Sequence, residues 1–194
     1  MSTTQEKRNS IIKDLKNLLI WISIALIIRW QVIEPRWIPS GSMLPTLQIQ
    51  DKILVEKVTP KITSKSNLSK YKNKIVVFNV PEQLINAGYE ANTALIKRVI
   101  GIPGDKVEVR DGNLYLNDIP QENYFFDQNI NYSIGPFIVP EESLWVMGDN
   151  RNNSMDSHIW GFLPYENIVG KAIFRYWPFN KIGPIRFPAL NNLD

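Results

Sequence analysis

The sequence predicts a mainly β fold, a folded-over antiparallel sheet or partly open barrel, carried behind one N-terminal transmembrane helix. Three observations predict it. Seven short segments rich in β-branched residues recur after residue 50: 52–58 (KILVEKV), 74–80 (KIVVFNV), 94–100 (ALIKRVI), 106–110 (KVEVR), 113–117 (NLYLN), 143–147 (SLWVM) and 168–176 (IVGKAIFRY). Asp111-Gly112 sits between two of them and suits the tight type I′ turn of a hairpin. A single apolar run, 18–28 (LLIWISIALII), stands near the N-terminus, and no helical pattern of similar strength follows residue 33.

The apolar run has 11 residues and, as a helix, spans about 16 Å, roughly half of a hydrocarbon core. Extended over 15–33 it reaches about 28 Å and takes in Lys16 and Arg29, whose long stems can snorkel. A cleaved leader needs small residues after the run, and RWQVIEPRWI is bulky. A buried core helix and an uncleaved anchor are the other readings. Lys7, Arg8, Lys13 and Lys16 against Glu6 and Asp14 favour the anchor, with a cytoplasmic N-terminus. Trp30 and Trp37 follow at the place of interfacial aromatics. The expected division is a cytoplasmic segment 1–16, an anchor 17–33, and an extracytoplasmic domain 34–194 with a small inserted hairpin region at 106–142. The polar, lysine-rich stretch 59–73 reads as a solvated loop.

Composition excludes several functions. Net charge is only +3, with acids and bases interleaved, which is no nucleic-acid footprint. There is no cysteine, so neither a thiol nucleophile nor a thiolate metal site exists. His158 is the one histidine, which leaves a Ser-His-Asp triad a single possible base and rules out a multi-histidine metal site.

Three segments could carry chemistry. In 39–46 (PSGSMLPT) two serines flank a glycine between prolines, so the stretch is neither regular helix nor central strand. Such a loop can present a nucleophilic hydroxyl beside backbone N–H groups, although Ser-Gly-Ser is also ordinary loop composition. In 95–105 (LIKRVIGIPGD), Lys97 shares a strand face with Leu95 and Val99, and Arg98 one with Ile96 and Ile100. Both faces are apolar, so one cation is expected to be buried, unless both snorkel from an edge strand. A desolvated lysine loses proton affinity and becomes a general base. The stretch 147–158 (MGDNRNNSMDSH) follows an apolar strand and reads as a turn or a hydrogen-bonding platform. A calcium loop beginning at Asp149 fails, because Arg151, Ser154 and Trp160 occupy positions three, six and twelve.

Taken in order, these segments resemble the type I signal peptidase family. Ser-Gly-Ser-Met-Leu-Pro-Thr is similar to its nucleophile box, with Asp51-Lys52-Ile53-Leu54-Val55 after it. Residues 97–105 are similar to its lysine box, and 148–157 to its C-terminal box. The resemblance covers 39–58, 94–105 and 144–164. It implies Ser42 as nucleophile, Lys97 as general base and later acid, and Ser40 with the Ser42 N–H as oxyanion donors. Ser154 would orient the Lys97 ammonium, while Asp149, Arg151 and Asp156 brace the platform. The implied substrates are preprotein signal peptides with small residues at the first and third positions before the cut. The implied surroundings are a lipid bilayer, with no cofactor, metal or nucleic acid. One departure is His158 where the family commonly has arginine, which puts the brace on Asp156 in question. Two rivals are weighed. A repressor-type self-cleaving Ser–Lys peptidase lacks its helix-turn-helix here, and Ala87-Gly88 lies after Ser42 rather than before. A non-catalytic, membrane-tethered β-module would have no reason to keep both Ser42 and Lys97.

Overall fold

The computed structural model describes residues 2–64, 67–121 and 129–185. Helix α1 (Ser2–Gln31) stands off the body. Leu18, Leu19, Ile20, Trp21 and Ile22 are consecutive and all exposed, and none joins a core cluster. The buried-core reading of this segment is therefore overturned. Among the described residues no helix is long and apolar enough to cross a membrane. In α1 the apolar run is short and lies between Asp14, Lys16 and Arg29. The helix also ends at Gln31, two residues before the expected boundary, because Ile33 already pairs with Glu56 in the sheet. The Trp30 side chain lies outside the described residues.

The strands are β1 (Ile33–Trp37), β2 (Lys52–Glu56), β3 (Ile75–Asn79), β4 (Ala94–Gly101), β5 (Lys106–Arg110), β6 (Asn113–Leu116), β7 (Ile119–Pro120), β8 (Ile134–Ile138), β9 (Ser143–Met147), β10 (Leu163–Pro164), β11 (Ile168–Trp177) and β12 (Gly183–Pro184). All seven expected strands form. The main sheet runs β1-β2-β11-β3-β4-β9-β10, with β12 added to β11, and every pairing is antiparallel. Its two ends do not pair, so the sheet is open.

The strands that pattern did not reveal share a cause. Pro35 in β1, Pro120 in β7, Pro136 in β8, Pro164 in β10 and Pro184 in β12 all occupy strands at sheet edges or off the main path. A proline cannot donate to the ladder, so an edge is where a strand tolerates it.

The inserted region is larger than the expected hairpin. Strands β5 and β6 form that hairpin, with Asp111 (φ 50°) and Gly112 (φ 77°) both left-handed as a type I′ turn requires. Strands β7 and β8 flank it in a four-stranded sheet, β7-β6-β5-β8.

Alternation along the strands builds the cores. In β3, Val76 and Phe78 enter one cluster while Ile75 and Val77 enter another. In β9, Leu144 and Val146 face the first cluster, and Trp145 and Met147 face the inserted sheet. The described residues of 59–73 do not form a solvated loop. Helix α2 (Val58–Ile62) is started by Glu56, which accepts from Thr59 N and Thr59 Oγ1 at 2.7 Å each. Beyond it, Leu68 and Tyr71 are buried in the first cluster, and Tyr165 Oη donates to the Pro60 and Thr63 carbonyls.

Candidate active site

Ser42 sits in a single 3-10 turn, Gly41–Met43, between extended residues on either side. Met43 and Leu47 are fully buried and pin the turn to the second core cluster. Asp51 fixes its far end, accepting from Gln48 N (2.9 Å) and Arg175 Nη1 (2.7 Å). Arg175 also donates to the Thr46 carbonyl. The prolines exclude regular structure, and these buried anchors hold what remains in one shape.

Lys97 reaches the turn from β4, which lies between β3 and β9 and is no edge strand. Its Nζ donates to Ser42 Oγ (3.0 Å) and to the Ile96 carbonyl (3.0 Å). The residue is 4% exposed. Burial is the main influence on its proton and brings its pKa from 10.5 down to about 8, against a smaller upward pull from the Asp156 carboxylate. The result is an amine that is deprotonated in appreciable amount near neutral pH and touches a serine hydroxyl. Ser40 Oγ lies 3.4 Å from Ser42 Oγ, beside the same centre.

Both cations on β4 are buried, where one was expected. Arg98 is 1% exposed, and the Asp149 carboxylate takes its Nε and Nη2 in a fork at 2.7 Å each. Its Nη1 donates to the Asn73 carbonyl. Asp149 therefore braces β4 through Arg98, a partner the sequence did not indicate. The next residue, Asn150, donates from its backbone N to the Ser42 carbonyl (3.0 Å) and from Nδ2 to the Gly41 carbonyl (3.1 Å). Asn150 and Gly148 lie in the polar stretch 147–158, but the sequence assigns neither an individual role. A Cβ on Gly148 would strike Ser154 Oγ and the Ser42 carbonyl, so only glycine lets the two segments approach.

The rest of the platform differs in detail from the expectation. The Ser154–Lys97 bond is not made: Ser154 Oγ is buried against Gly148 and has no hydrogen-bond partner among the described residues. Arg151 is buried with Nε and Nη1 unsatisfied among those residues, and desolvation lowers its pKa, opposed mainly by Asp149 and Asp156. Asp156 is fully buried and accepts from Gly148 N (2.8 Å) and His158 N (3.2 Å). His158 Nδ1 lies 2.7 Å from Asp156 Oδ1, a single side-chain contact where a guanidinium could offer a fork. No hydrogen bond joins His158 to Ser42 among the described residues.

A cleft of about 140 Å³ is lined by Trp37, Ile38, Pro39, Ile53, Val77 and Ile96 among others; Pro39 and Ile96 are the chain neighbours of Ser40 and Lys97. A larger cavity of about 600 Å³ lies between α1 and β1, lined by Leu26 and Glu34 and away from the dyad. No group of three His, Cys, Asp or Glu side chains among the described residues could hold a metal ion.

The sequence has relatives. A signal peptidase I of Leptolyngbya laminosa is 40% identical over 188 residues, covering 96% of this chain and 90% of that one. A probable signal peptidase I-1 of Synechocystis sp. is 42% identical over 173 residues, covering 87% and 83%. A chloroplastic thylakoidal processing peptidase 1 of Arabidopsis thaliana is 43% identical over 178 residues, covering 88% of this chain and 49% of that one. The family model described as "Signal peptidase, peptidase S26" matches residues 11–177, which include every segment that meets at the dyad. That match covers most of the chain, and with relatives 40% and more identical over most of both lengths it places the chain in the signal peptidase family, peptidase S26.

Proposed function

We propose that Ser42 and Lys97 are the catalytic dyad of this signal-peptide-removing serine endopeptidase. The observation that carries the assignment is the 3.0 Å approach of Lys97 Nζ to Ser42 Oγ inside a site where Lys97 is 4% exposed. Neutral Nζ takes the proton as Ser42 Oγ attacks the scissile carbonyl. The Ser42 N–H and the Ser40 hydroxyl receive the oxyanion. Lys97 then protonates the leaving amine, and a water activated by the same amine hydrolyses the acyl ester. Asp149, Arg151, Asp156 and Ser154 hold the wall around Lys97 and take no proton in the reaction.

The substrate strand lies along the cleft beside the dyad, adding main-chain bonds to exposed strand edges. Small residues at the first and third positions before the cut match a cleft this narrow, with Ile38, Ile53 and Ile96 on its walls. The segment 17–33 anchors the chain in a bilayer, with the N-terminus cytoplasmic and 34–194 on the outer face. The basic residues before the apolar run and the exposed apolar side chains of α1 support this placement. A corner of Trp37, Trp177 and Phe179, exposed by 64%, 40% and 74%, would meet the same lipid surface. Trp145 and Trp160 take no part there, since both are buried.

The test is cleavage of a preprotein with an Ala-x-Ala site by the detergent-solubilised chain. Ser42→Ala and Lys97→Met each lower the rate by roughly 10³-fold or more, and His158→Ala lowers it less. A Ser42→Ala protein that still cuts, or a His158→Ala protein as dead as Lys97→Met, would overturn the dyad.

A further inference from the structure

The cavity of about 600 Å³ between α1 and β1 has no part in the dyad's chemistry. Leu26, Ile27 and Arg29 line it from the helix, Glu34 and Pro35 from β1, and Lys57 from the residue after β2. Its lining divides by chemistry. Leu26, Ile27 and Pro35 are apolar, and Leu26 and Ile27 belong to the run of exposed apolar side chains on α1. The charged groups gather where the helix ends. Arg29 and Lys57 line the cavity, with Arg36 and Lys61 beside it, and the acid among these four cations is Glu34.

Glu34 is already held through both oxygens, by Lys57 Nζ at 3.0 Å and Arg36 Nη2 at 2.5 Å. Glu56, which faces Ile33 across the ladder, is engaged by Thr59 and Lys171. Arg29 has no hydrogen-bond or ion-pair partner among the described residues. A helix C-terminus ordinarily repels an anion. Here Lys61 Nζ donates to the Gln31 carbonyl (3.2 Å) and to its Oε1 (2.6 Å), and Val32 N donates to the Ile28 carbonyl, so part of that negative end is covered. The cavity is thus apolar along the helix and cationic at the helix end.

We propose that this cavity binds an anionic phospholipid, with its phosphate between Arg29 and Lys57 and one acyl chain along Leu26, Ile27 and Pro35. A soluble anion would leave the apolar wall bare, and a neutral apolar chain would leave Arg29 without a counter-charge. A phospholipid carries both halves in the order in which the cavity presents them. The inference rests on 17–33 being a bilayer anchor, which puts Arg29 and Glu34 at the level of the headgroups. Lipid bound there would fasten the end of the anchor to β1, the strand that runs on to Trp37 and the substrate cleft.

The experiment titrates the detergent-solubilised full chain with dioleoylphosphatidylglycerol, dioleoylphosphatidylcholine and glycerol phosphate, reading the bound mass by native mass spectrometry. Phosphatidylglycerol should bind saturably and more tightly than phosphatidylcholine, and glycerol phosphate should fail to displace it. Arg29→Gln should weaken phosphatidylglycerol about fivefold, the effect of one cation on an anionic lipid, and Arg29→Lys should restore most of the loss. Lys7→Gln, a change of the same charge elsewhere on α1, should leave binding unmoved. Equal binding of the two lipids, displacement by glycerol phosphate alone, or an equal loss in Lys7→Gln and Arg29→Gln each overturn the inference. A photoactivatable phosphatidylglycerol on the unsubstituted chain reads the position without any substitution. Labels within 26–35 or at Lys57 support the site, and labels confined elsewhere overturn it. Flotation with phosphatidylcholine vesicles tests the anchor separately. A chain that does not float overturns the anchor and this inference with it, whereas a chain that floats but shows no preference for phosphatidylglycerol overturns the inference alone.

Discussion

Lys97 and Arg98 are neighbours on β4, both cationic in water and both almost wholly buried, but the fold treats them oppositely. Arg98 is given a carboxylate in a two-pronged grip and a backbone carbonyl, all at 2.9 Å or less. Lys97 is given a serine hydroxyl and a backbone carbonyl, both neutral. A buried charge survives where its partners replace the lost water, and a buried amine without a counter-charge sheds its proton instead. One strand thereby supplies a structural cation and, in the proposed mechanism, a chemical base. Alternation decides which becomes which, because adjacent side chains leave the sheet on opposite faces.

Breaking the arginine side of this comparison has the largest expected effect on stability. Asp149→Asn removes the carboxylate that grips two nitrogens of Arg98 and should cost about 3–5 kcal/mol in urea unfolding. The paired change Arg98→Met with Asp149→Leu should recover most of that loss, since apolar replacement of a buried pair is often close to neutral.

On the lysine side the sign reverses. Lys97→Met removes a group whose charged form the fold disfavours, so the inactive variant should be more stable by roughly 3 kcal/mol below pH 8. Between about pH 8 and 10.5 the unfolded chain binds more protons at Lys97 than the folded one. The unsubstituted chain gains stability as pH rises through that window, and the advantage of Lys97→Met should fade across it. Thermal melts of both proteins at pH 7 and pH 10 check this.

In the proposed mechanism the same displaced proton governs activity. With the Lys97 pKa at about 8, kcat/KM should climb close to tenfold per pH unit below pH 8 and level off above it. A limb centred near 10 would mean that Lys97 is not desolvated during turnover. The smallest effect expected is at Ser40. Its hydroxyl is 3.4 Å from Ser42 Oγ, longer than a strong O–H bond, so Ser40→Ala should lower kcat about tenfold and leave the melting temperature unmoved.

Much of this was legible from the chain. Strands such as 75–79 and 143–147 announce themselves because each buries apolar side chains, and the turn at Asp111-Gly112 is written in residues that accept positive φ. The proline-bearing edge strands β1 and β8 were not legible, since edge pairing depends on which neighbour is present rather than on local pattern. The segment 59–73 misled for a related reason. Its lysines are spaced around Leu68 and Tyr71, two apolar anchors too sparse to register beside so much charge.

At the site, residue type and order carried the chemistry as far as two serines, a lysine among aliphatic residues and a polar turn after a strand. The sequence by itself determined that a hydroxyl and an amine were available, that no thiol or histidine cluster competed with them, and that Lys97 and Arg98 would leave β4 on opposite faces. Only the tertiary structure decided that Lys97 meets Ser42 across 55 residues of chain, that Asp149 belongs to Arg98, and that Ser154 leaves its expected partner for a place against Gly148. Periodicity along a strand is a local property, set by backbone geometry. Which charge is compensated, and therefore which one is kept, depends on groups that only the packing of distant segments brings within hydrogen-bond reach.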